Sequence, residues 1–138
     1  MLPDGTINPG QMTSFNHYAL GSVCAFLHTT VGGLSAGEPG WKSALMAPKP
    51  GGTIRWAQTS FDSPYGLYSV EWEIVESTMR TTVIVPPNGS ARVVLDGVDE
   101  HIGSGEYTYE TTWIEDPTWP PEVIQGAQGN AIPAFFLP

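Results

Sequence analysis

From Trp41 onward, apolar and polar residues alternate along the chain with a period of two, which is typical of half-buried β-strands. In one stretch, Val70 and Trp72 alternate with Glu71 and Glu73. Segments rich in Gly, Pro, Asn and Ser separate the stretches and favour turns. The pattern predicts strands over residues 43–48, 53–61, 66–75, 79–85, 90–95 and 106–113. Short strands at this spacing predict a mainly β fold, an antiparallel β-sandwich of about six to eight strands.

A different period precedes the strands. Between residues 13 and 31, apolar residues recur every three or four positions, which predicts a single α-helix before the sandwich. Thr13 or Ser14 is suited to cap its start, and Gly32 with Gly33 is suited to end it in a left-handed conformation. The apolar positions of the helix are Phe15, Ala19, Val23, Phe26, Leu27 and Val31.

The segment 114–138 combines prolines with large apolar residues. Its prolines exclude long regular structure, so we predict an irregular, extended tail. Two interpretations of its apolar residues stay open. The tail covers an apolar surface of this chain, or it forms a contact strip for a partner domain. The residues concerned are Trp119, Val123, Ile124, Ile132, Phe135, Phe136 and Leu137.

Charge restricts the possible partners. The 138 residues contain 5 Lys and Arg against 14 Asp and Glu, giving a net charge of −9. We expect no nucleic-acid partner, because the phosphate backbone requires a basic surface. The same charge disfavours an anionic membrane surface. No apolar run approaches the roughly 18 residues that span a bilayer, so no membrane partner is expected.

The first residues, Met1 to Gly5, have neither the basic nor the apolar stretch of a signal peptide. As written, the chain is expected to be cytoplasmic unless Met1 is an internal residue of a longer protein. The single cysteine, Cys24, excludes an intramolecular disulfide and a Cys-based zinc site, and we expect it to be buried and inert. His17, His28 and His101 lack the spacing of metal ligands, so no metal or other cofactor is expected.

Acidic pairs are frequent in this chain. Glu71 and Glu73 share one face of a predicted strand, opposite Trp72, and we expect that face to be solvated. Asp99-Glu100 and Glu115-Asp116 are further candidate pairs for acid–base chemistry. Asn88 begins an N-glycosylation sequon in a predicted turn, and this sequon matters only if the chain is secreted.

The predicted helix start is the segment richest in candidate chemistry. His17 lies in the first turn, where the positive end of the helix dipole favours a neutral imidazole that can both donate and accept. Phe15 and Tyr18 lie beside it, and aromatic faces with a few polar groups suit a sugar ring. From these residues alone, His17 is either a packed side chain at a capped helix start or a ligand contact.

The stretch Met12–Val23 resembles the last-helix motif of the α-L-rhamnosidases of glycoside hydrolase family 78. Further blocks resemble that family in the same order along the chain. They are Val31–Leu34, Glu38–Lys42, Ala47–Gly52, Ser63–Trp72, Val85–Ala91 and Gly103–Tyr107. The resemblance reaches to about residue 112 and leaves the tail without a counterpart.

That family combines an (α/α)6 barrel with β-sandwich domains and hydrolyses terminal α-L-rhamnose with inversion by means of two carboxylic acids. The resemblance implies that residues 1–38 continue the last loop and helix of the barrel, that 39–113 form the C-terminal β-sandwich domain, and that 114–138 are an added tail. The family's catalytic acid and base lie upstream of Leu2–Gly5, so no catalytic residue is expected here. His17 matches a histidine that contacts bound rhamnose.

The resemblance therefore implies the C-terminal region of an α-L-rhamnosidase-like hydrolase, inactive by itself, whose intact protein acts on a rhamnose-containing carbohydrate or glycoside. An alternative is a free-standing β-sandwich that binds or transforms a small molecule or carbohydrate. A third possibility is a structural remnant without a ligand. In the isolated chain, we expect the tail or a second copy to cover the helix face formed by Phe15, Phe26, Leu27 and Val31, the second case giving a homodimer.

Overall fold

The computed structural model describes Thr6 and residues 18–115, 123–125 and 131–133. Helix α1, Ala19–Phe26, continues into a π-helical turn, Leu27–Val31, and a short 3-10 turn spans Pro39–Trp41. The strands are β1 Leu34–Ala36, β2 Ser43–Met46, β3 Trp56–Ser63, β4 Gly66–Val75, β5 Thr78–Val85, β6 Ser90–Leu95, β7 Val98–Ile102, β8 Gly105–Thr112, β9 Val123–Gln125 and β10 Ala131–Pro133. None of the described helices is long and apolar enough to cross a membrane.

Two four-stranded sheets form the sandwich that the alternation predicts. The first sheet has the strand order β1-β2-β6-β7, and the second has the order β3-β4-β5-β8. In β4, Val70 and Trp72 are buried while Glu71 and Glu73 are exposed, as predicted. Residues of both sheets share one hydrophobic core, whose most buried members include Leu34, Met46, Tyr68, Val70, Trp72, Val83 and Val93.

One strand pair departs from the antiparallel pattern. β2 pairs with β6 in parallel, whereas the other pairs in the described residues are antiparallel. The parallel pair arises because the chain leaves the first sheet after β2, builds β3, β4 and β5 of the second sheet, and then returns. A parallel neighbour requires such a long crossover, which here consists of three strands of the opposite sheet.

The six predicted strands are all present, and the bounds of 66–75 and 90–95 agree with the structure. β1 and β7 were not predicted. β1 is too short to show a period, and β7 carries the exposed residues Asp99, Glu100 and His101. The tail, predicted to be irregular, contains the antiparallel pair β9 and β10, whose three-residue strands are short enough to form among prolines.

The end of the predicted helix is confirmed, and residues 13–17 of its predicted start lie outside the described part of the chain. The backbone N–H of Gly32 donates to the carbonyl of Leu27 at 2.7 Å, which closes the wide last turn. Gly33 then adopts φ 77°, the predicted left-handed ending. A Cβ on Gly33 would lie 2.1 Å from the nitrogen of Pro48, so the chain passes too closely for any side chain.

Candidate functional site

His17, the one substrate contact predicted from the sequence, lies outside the described residues. The neighbouring part of the structure is the end of the helical segment where it meets the sandwich. His28 stands there, with its Nδ1 atom 3.1 Å from the carbonyl of Leu34 and its Nε2 atom 3.4 Å from the carbonyl of Ser60. A neutral ring donates to one of these carbonyls. His28 therefore holds the helix end between β1 and β3, a structural role for which the sequence carried no signal.

The helix leaves an apolar face uncovered. Val23 is 51% exposed, Phe26 55% and Leu27 46%. This agrees with the predicted apolar face for Phe26 and Leu27, but Val31 belongs to the core instead. Cys24 is exposed, so the expectation of a buried thiol is wrong. No described element packs over these four side chains, which is why they are exposed.

Beside this face, the edge of the sandwich forms an apolar groove of about 440 Å³. Its walls include Leu27 and Val31 from the helical segment, Ile54 from the loop before β3, and Ala57 from β3. Ile54 is itself 39% exposed. We call the surface formed by Val23, Phe26, Leu27 and Ile54 the helix seam. A group of exposed apolar side chains of this kind is typical of a contact with another domain or chain.

A second feature is a pair of stacked aromatic rings beside the 3-10 turn. The rings of Trp41 and Phe61 lie 4.1 Å apart, with 16° between their planes. Trp41 adopts φ 64°, a left-handed conformation that is costly for a residue with a large side chain. The stack compensates by placing the indole over the partly exposed Phe61 and against the buried Tyr68. The turn thereby covers this end of the core.

The carboxylates singled out from the sequence do not assemble into an acid–base pair in the described residues. Glu71 and Glu73 lie on an exposed strand face, as expected. Asp99 binds Arg92 through two hydrogen bonds of 2.8 and 2.7 Å, and these bonds hold the pKa of Asp99 below its usual range. Glu115 pairs with Arg55 at 2.5 Å.

Glu100 has a structural role as well. It accepts a hydrogen bond from the phenol of Tyr109, and burial together with this bond raises the pKa of Tyr109. Asp116 lies outside the described residues. Among the side chains that the structure describes, no group of three or more His, Cys, Asp or Glu residues could hold a metal ion.

The predicted turn at Asn88 is present. Asn88 is exposed in the turn before β6, as predicted, and adopts φ 63°.

The sequence analysis missed a hollow of about 620 Å³ near the end of β8, which is lined partly by Arg55, Trp113 and Glu115. The indole N–H of Trp113 is buried beside it and has no hydrogen-bond partner among the described residues. The sequence placed Trp113 at the end of a strand but contained no sign of the hollow.

The comparisons with known proteins agree with the resemblance described above. The family model of the bacterial alpha-L-rhamnosidase C-terminal domain matches residues 33–110. A curated alpha-L-rhamnosidase from Streptomyces avermitilis is 33% identical over 109 residues, which cover 79% of this chain and 10% of that protein. The chain thus spans about a tenth of the length of this relative.

Solved structures give the same result. The crystal structure of native alpha-L-rhamnosidase from Aspergillus terreus is 47% identical, covers 80% of this chain and 13% of its own, and has a TM-score of 0.72. The Streptomyces avermitilis alpha-L-rhamnosidase in complex with L-rhamnose is 29% identical, covers 79% of this chain and 12% of its own, and has a TM-score of 0.69. Since the family match spans more than half of the 138 residues, the chain belongs to the family of the bacterial alpha-L-rhamnosidase C-terminal domain.

Proposed function

We propose that this chain acts as the C-terminal β-sandwich region of an α-L-rhamnosidase that removes terminal α-L-rhamnose with inversion. The observation that carries the proposal is the uncovered helix seam on a chain that matches about a tenth of its relative. Inverting hydrolysis requires two opposed carboxylic acids. The described carboxylates that the sequence singled out are exposed on a strand face or engaged in structural pairs. The proposal therefore assigns catalysis to the barrel and none to this chain.

The seam has the composition of a domain interface. Burying apolar surface stabilises a contact by about 25 cal/mol per Å². Val23, Phe26 and Leu27 lie on one helix, and Ile54 extends the surface onto the sandwich. In the proposal, the preceding barrel helices cover this seam. The anchored helix end would transmit the position of the barrel to the sandwich, and the sandwich would stabilise the last helix of the barrel.

The proposal keeps the division into residues 1–38, 39–113 and 114–138, with β1 as the strand that joins the first region to the sandwich. His17 would contact rhamnose in a cleft whose other walls are barrel helices. The chain by itself would then have no hydrolytic activity and only very weak affinity for rhamnose. The comparisons do not favour the alternative of a free-standing sandwich.

A chimera tests the proposal. The matching C-terminal segment of the Aspergillus terreus enzyme is replaced by this chain, and hydrolysis of an aryl α-L-rhamnoside is measured. We expect the chimera to be soluble and active. Leu27→Asp in the chimera should lower its activity and thermal stability, because it places a charge in the seam. Val75→Asp, at a residue that is 60% exposed on a strand of the second sheet, is the matched control and should leave both unchanged.

Two outcomes would contradict the proposal. One is a folded chimera that has lost its activity, with the Val75→Asp control equally inactive. The other is a chimera in which Leu27→Asp and Val75→Asp are equally harmless, since the barrel helices would then not cover the seam.

A further inference from the structure

The outward face of the second sheet carries an aligned row of long side chains. Trp56, Glu73, Arg80 and Glu110 lie directly opposite one another on β3, β4, β5 and β8. Trp56 is 70% exposed, which is unusual for the largest side chain in proteins. The next row is polar throughout and consists of Gln58, Glu71, Thr82 and Thr108. We call these two rows the outer platform.

Arg80 is the central donor of the outer platform. Arg55 and Arg92 each pair with a carboxylate. Arg80 forms neither an ion pair nor a side-chain hydrogen bond with any described residue, although Glu73 and Glu110 occupy the two flanking register positions. Its guanidinium therefore keeps its fork of N–H donors available.

A hollow of about 190 Å³ lies at the same place, lined by Glu71, Glu73, Arg80 and Thr82. Neighbouring strands lie about 4.8 Å apart, so Trp56 and Arg80, separated by β4, are roughly 10 Å apart at their backbones. The exposed Trp56 is thus the register neighbour of Glu73, which lines a hollow that contains both donors and acceptors. The arrangement combines one apolar plane with hydrogen-bonding groups at its edge.

We propose that the outer platform binds the ring of a neutral pyranose sugar. The apolar C–H face of the sugar would lie on the indole of Trp56, and its hydroxyl groups would receive hydrogen bonds from Arg80 and donate them to Glu73 or Glu71. Hydroxyl groups suit such a mixed site because each can both donate and accept. Charged partners strengthen these hydrogen bonds, and an exposed aromatic ring offers contact area at a small entropic cost.

Charge narrows the ligand class further. The two rows contain the carboxylates of Glu71, Glu73 and Glu110 and the single guanidinium of Arg80. The excess of negative charge repels uronates and sulfated sugars, so a neutral sugar is the ligand that fits. The platform also gives a role to the Glu71 and Glu73 pair, which acid–base chemistry leaves unused.

This site goes beyond the proposed function, because it includes neither His17 nor the helix seam. In an intact glycosidase, it would hold a carbohydrate chain away from the cleavage site. The two proposals are therefore separable, since sugar binding at the platform does not require the barrel.

The test uses the 138-residue chain and follows the indole N–H signals by NMR during titration with methyl α-L-rhamnopyranoside, methyl α-D-glucopyranoside or D-glucuronate. We expect a saturable shift of the Trp56 indole with the two neutral sugars and a much weaker response with glucuronate. Trp56→Ala should reduce affinity by about tenfold, the loss of one aromatic contact. Trp56→Phe should retain part of the binding, and Arg80→Gln should weaken it.

Matched controls are available in the chain. Tyr65→Ala removes another exposed aromatic, and Arg92→Gln removes another exposed arginine. Both should bind as the unmodified chain does. The proposal is overturned if neither neutral sugar gives a saturable shift, if binding survives Trp56→Ala, or if glucuronate binds as tightly as the neutral sugars. Loss of the response on His17→Ala alone would instead locate the bound sugar at the predicted rhamnose contact.

Discussion

The indole N–H of Trp72 donates to the backbone carbonyl of Val31 at 2.8 Å, inside the core. Trp72 is 1% exposed and Val31 7%. The bond joins the end of the helical segment to a central strand of the second sheet, across 41 positions of sequence. It also satisfies a carbonyl at a helix end, where the backbone acceptors lack partners within the helix. The helix is thus attached at its end while its earlier apolar residues stay exposed.

Replacing Trp72 by Phe tests this attachment. The substitution leaves the carbonyl of Val31 without a partner in the core, and an unsatisfied buried group costs about 1–3 kcal/mol. The lost ring volume adds to that cost. We expect the free energy of unfolding in urea to fall by at least this amount, measured by circular dichroism. Trp56→Phe, at an exposed position, is the control and should change it by less than about 0.5 kcal/mol.

A close approach between Gly89 and Tyr68 gives a second prediction. A Cβ on Gly89 would lie 2.3 Å from the hydroxyl oxygen of Tyr68, which donates to the carbonyl of Lys42 at 3.2 Å. Gly89→Ala should therefore lower the stability by about 1–3 kcal/mol, the usual cost of overpacking. Gly103→Ala meets no atom within 4 Å and should be nearly neutral.

The double variant Gly89→Ala with Tyr68→Phe separates the clash from other effects of the alanine. Removing the hydroxyl removes the nearest clashing atom, so the double variant should be less destabilised than the sum of the two single substitutions. Thermal unfolding of the four proteins measures this. Strict additivity would show that the contact with the hydroxyl is not the cause.

An element of this fold can be predicted from the sequence when neighbouring residues along the chain determine it. β4 and β5 were predictable because each strand is long enough to show its alternation. β7 was missed because its middle residues are all exposed, although Asp96-Gly97 before it is a strong hairpin signal. The parallel pairing of β2 with β6 depends on contacts distant in sequence, which no local pattern encodes.

The candidate site, like the fold, could be predicted from the sequence only where the cause is local. The position of Glu71 and Glu73 on a solvated face followed from the period of two. The exposure of Cys24 did not follow from its apolar neighbours, because burial of a helix depends on which element packs against it. The contacts of His28 with two backbone carbonyls arise where three elements meet, and a single sequence contains no sign of that.

Acid sensitivity follows from the pair of Arg92 and Asp99. The folded pKa of Asp99 lies below its value in the unfolded chain because Arg92 stabilises the carboxylate. The pair therefore contributes stability above the unfolded pKa of about 3.9, and the contribution is lost as the pH falls through the folded value. Both side chains are exposed, so the contribution is small.

We expect Arg92→Gln to be slightly less stable than the unmodified chain at neutral pH and equally stable at a pH well below 3.9. Denaturant titrations at several pH values measure this difference. Arg80→Gln serves as the control, because Arg80 has no partner among the described residues. The difference in stability between Arg80→Gln and the unmodified chain should not change with pH. A deficit in Arg92→Gln that persists unchanged at low pH would contradict the assignment.

Catalytic inactivity of the chain is a separate expectation. Inverting hydrolysis requires an acid and a base, and the family resemblance places both upstream of Leu2–Gly5, so we expect no turnover of an aryl α-L-rhamnoside by the purified 138 residues. Activity that survives repurification and disappears when a carboxylate of this chain is replaced would contradict this. Suitable replacements are Glu71→Gln, Glu73→Gln and Glu115→Gln.

The helix seam should determine the behaviour of the chain in solution. Val23, Phe26 and Leu27 are about half exposed, and covering them removes apolar surface from water at about 25 cal/mol per Å². Without a barrel, we expect a second copy or the segment 114–138 to cover them.

Sedimentation of the chain at micromolar concentration, with and without residues 117–138, distinguishes the two. A dimer in both cases, converted to a monomer by Leu27→Asp but not by Val75→Asp, assigns the cover to a second copy. A monomer that dimerises or aggregates only after the deletion assigns it to the tail. A chain that stays monomeric, soluble and equally stable after the deletion would contradict both.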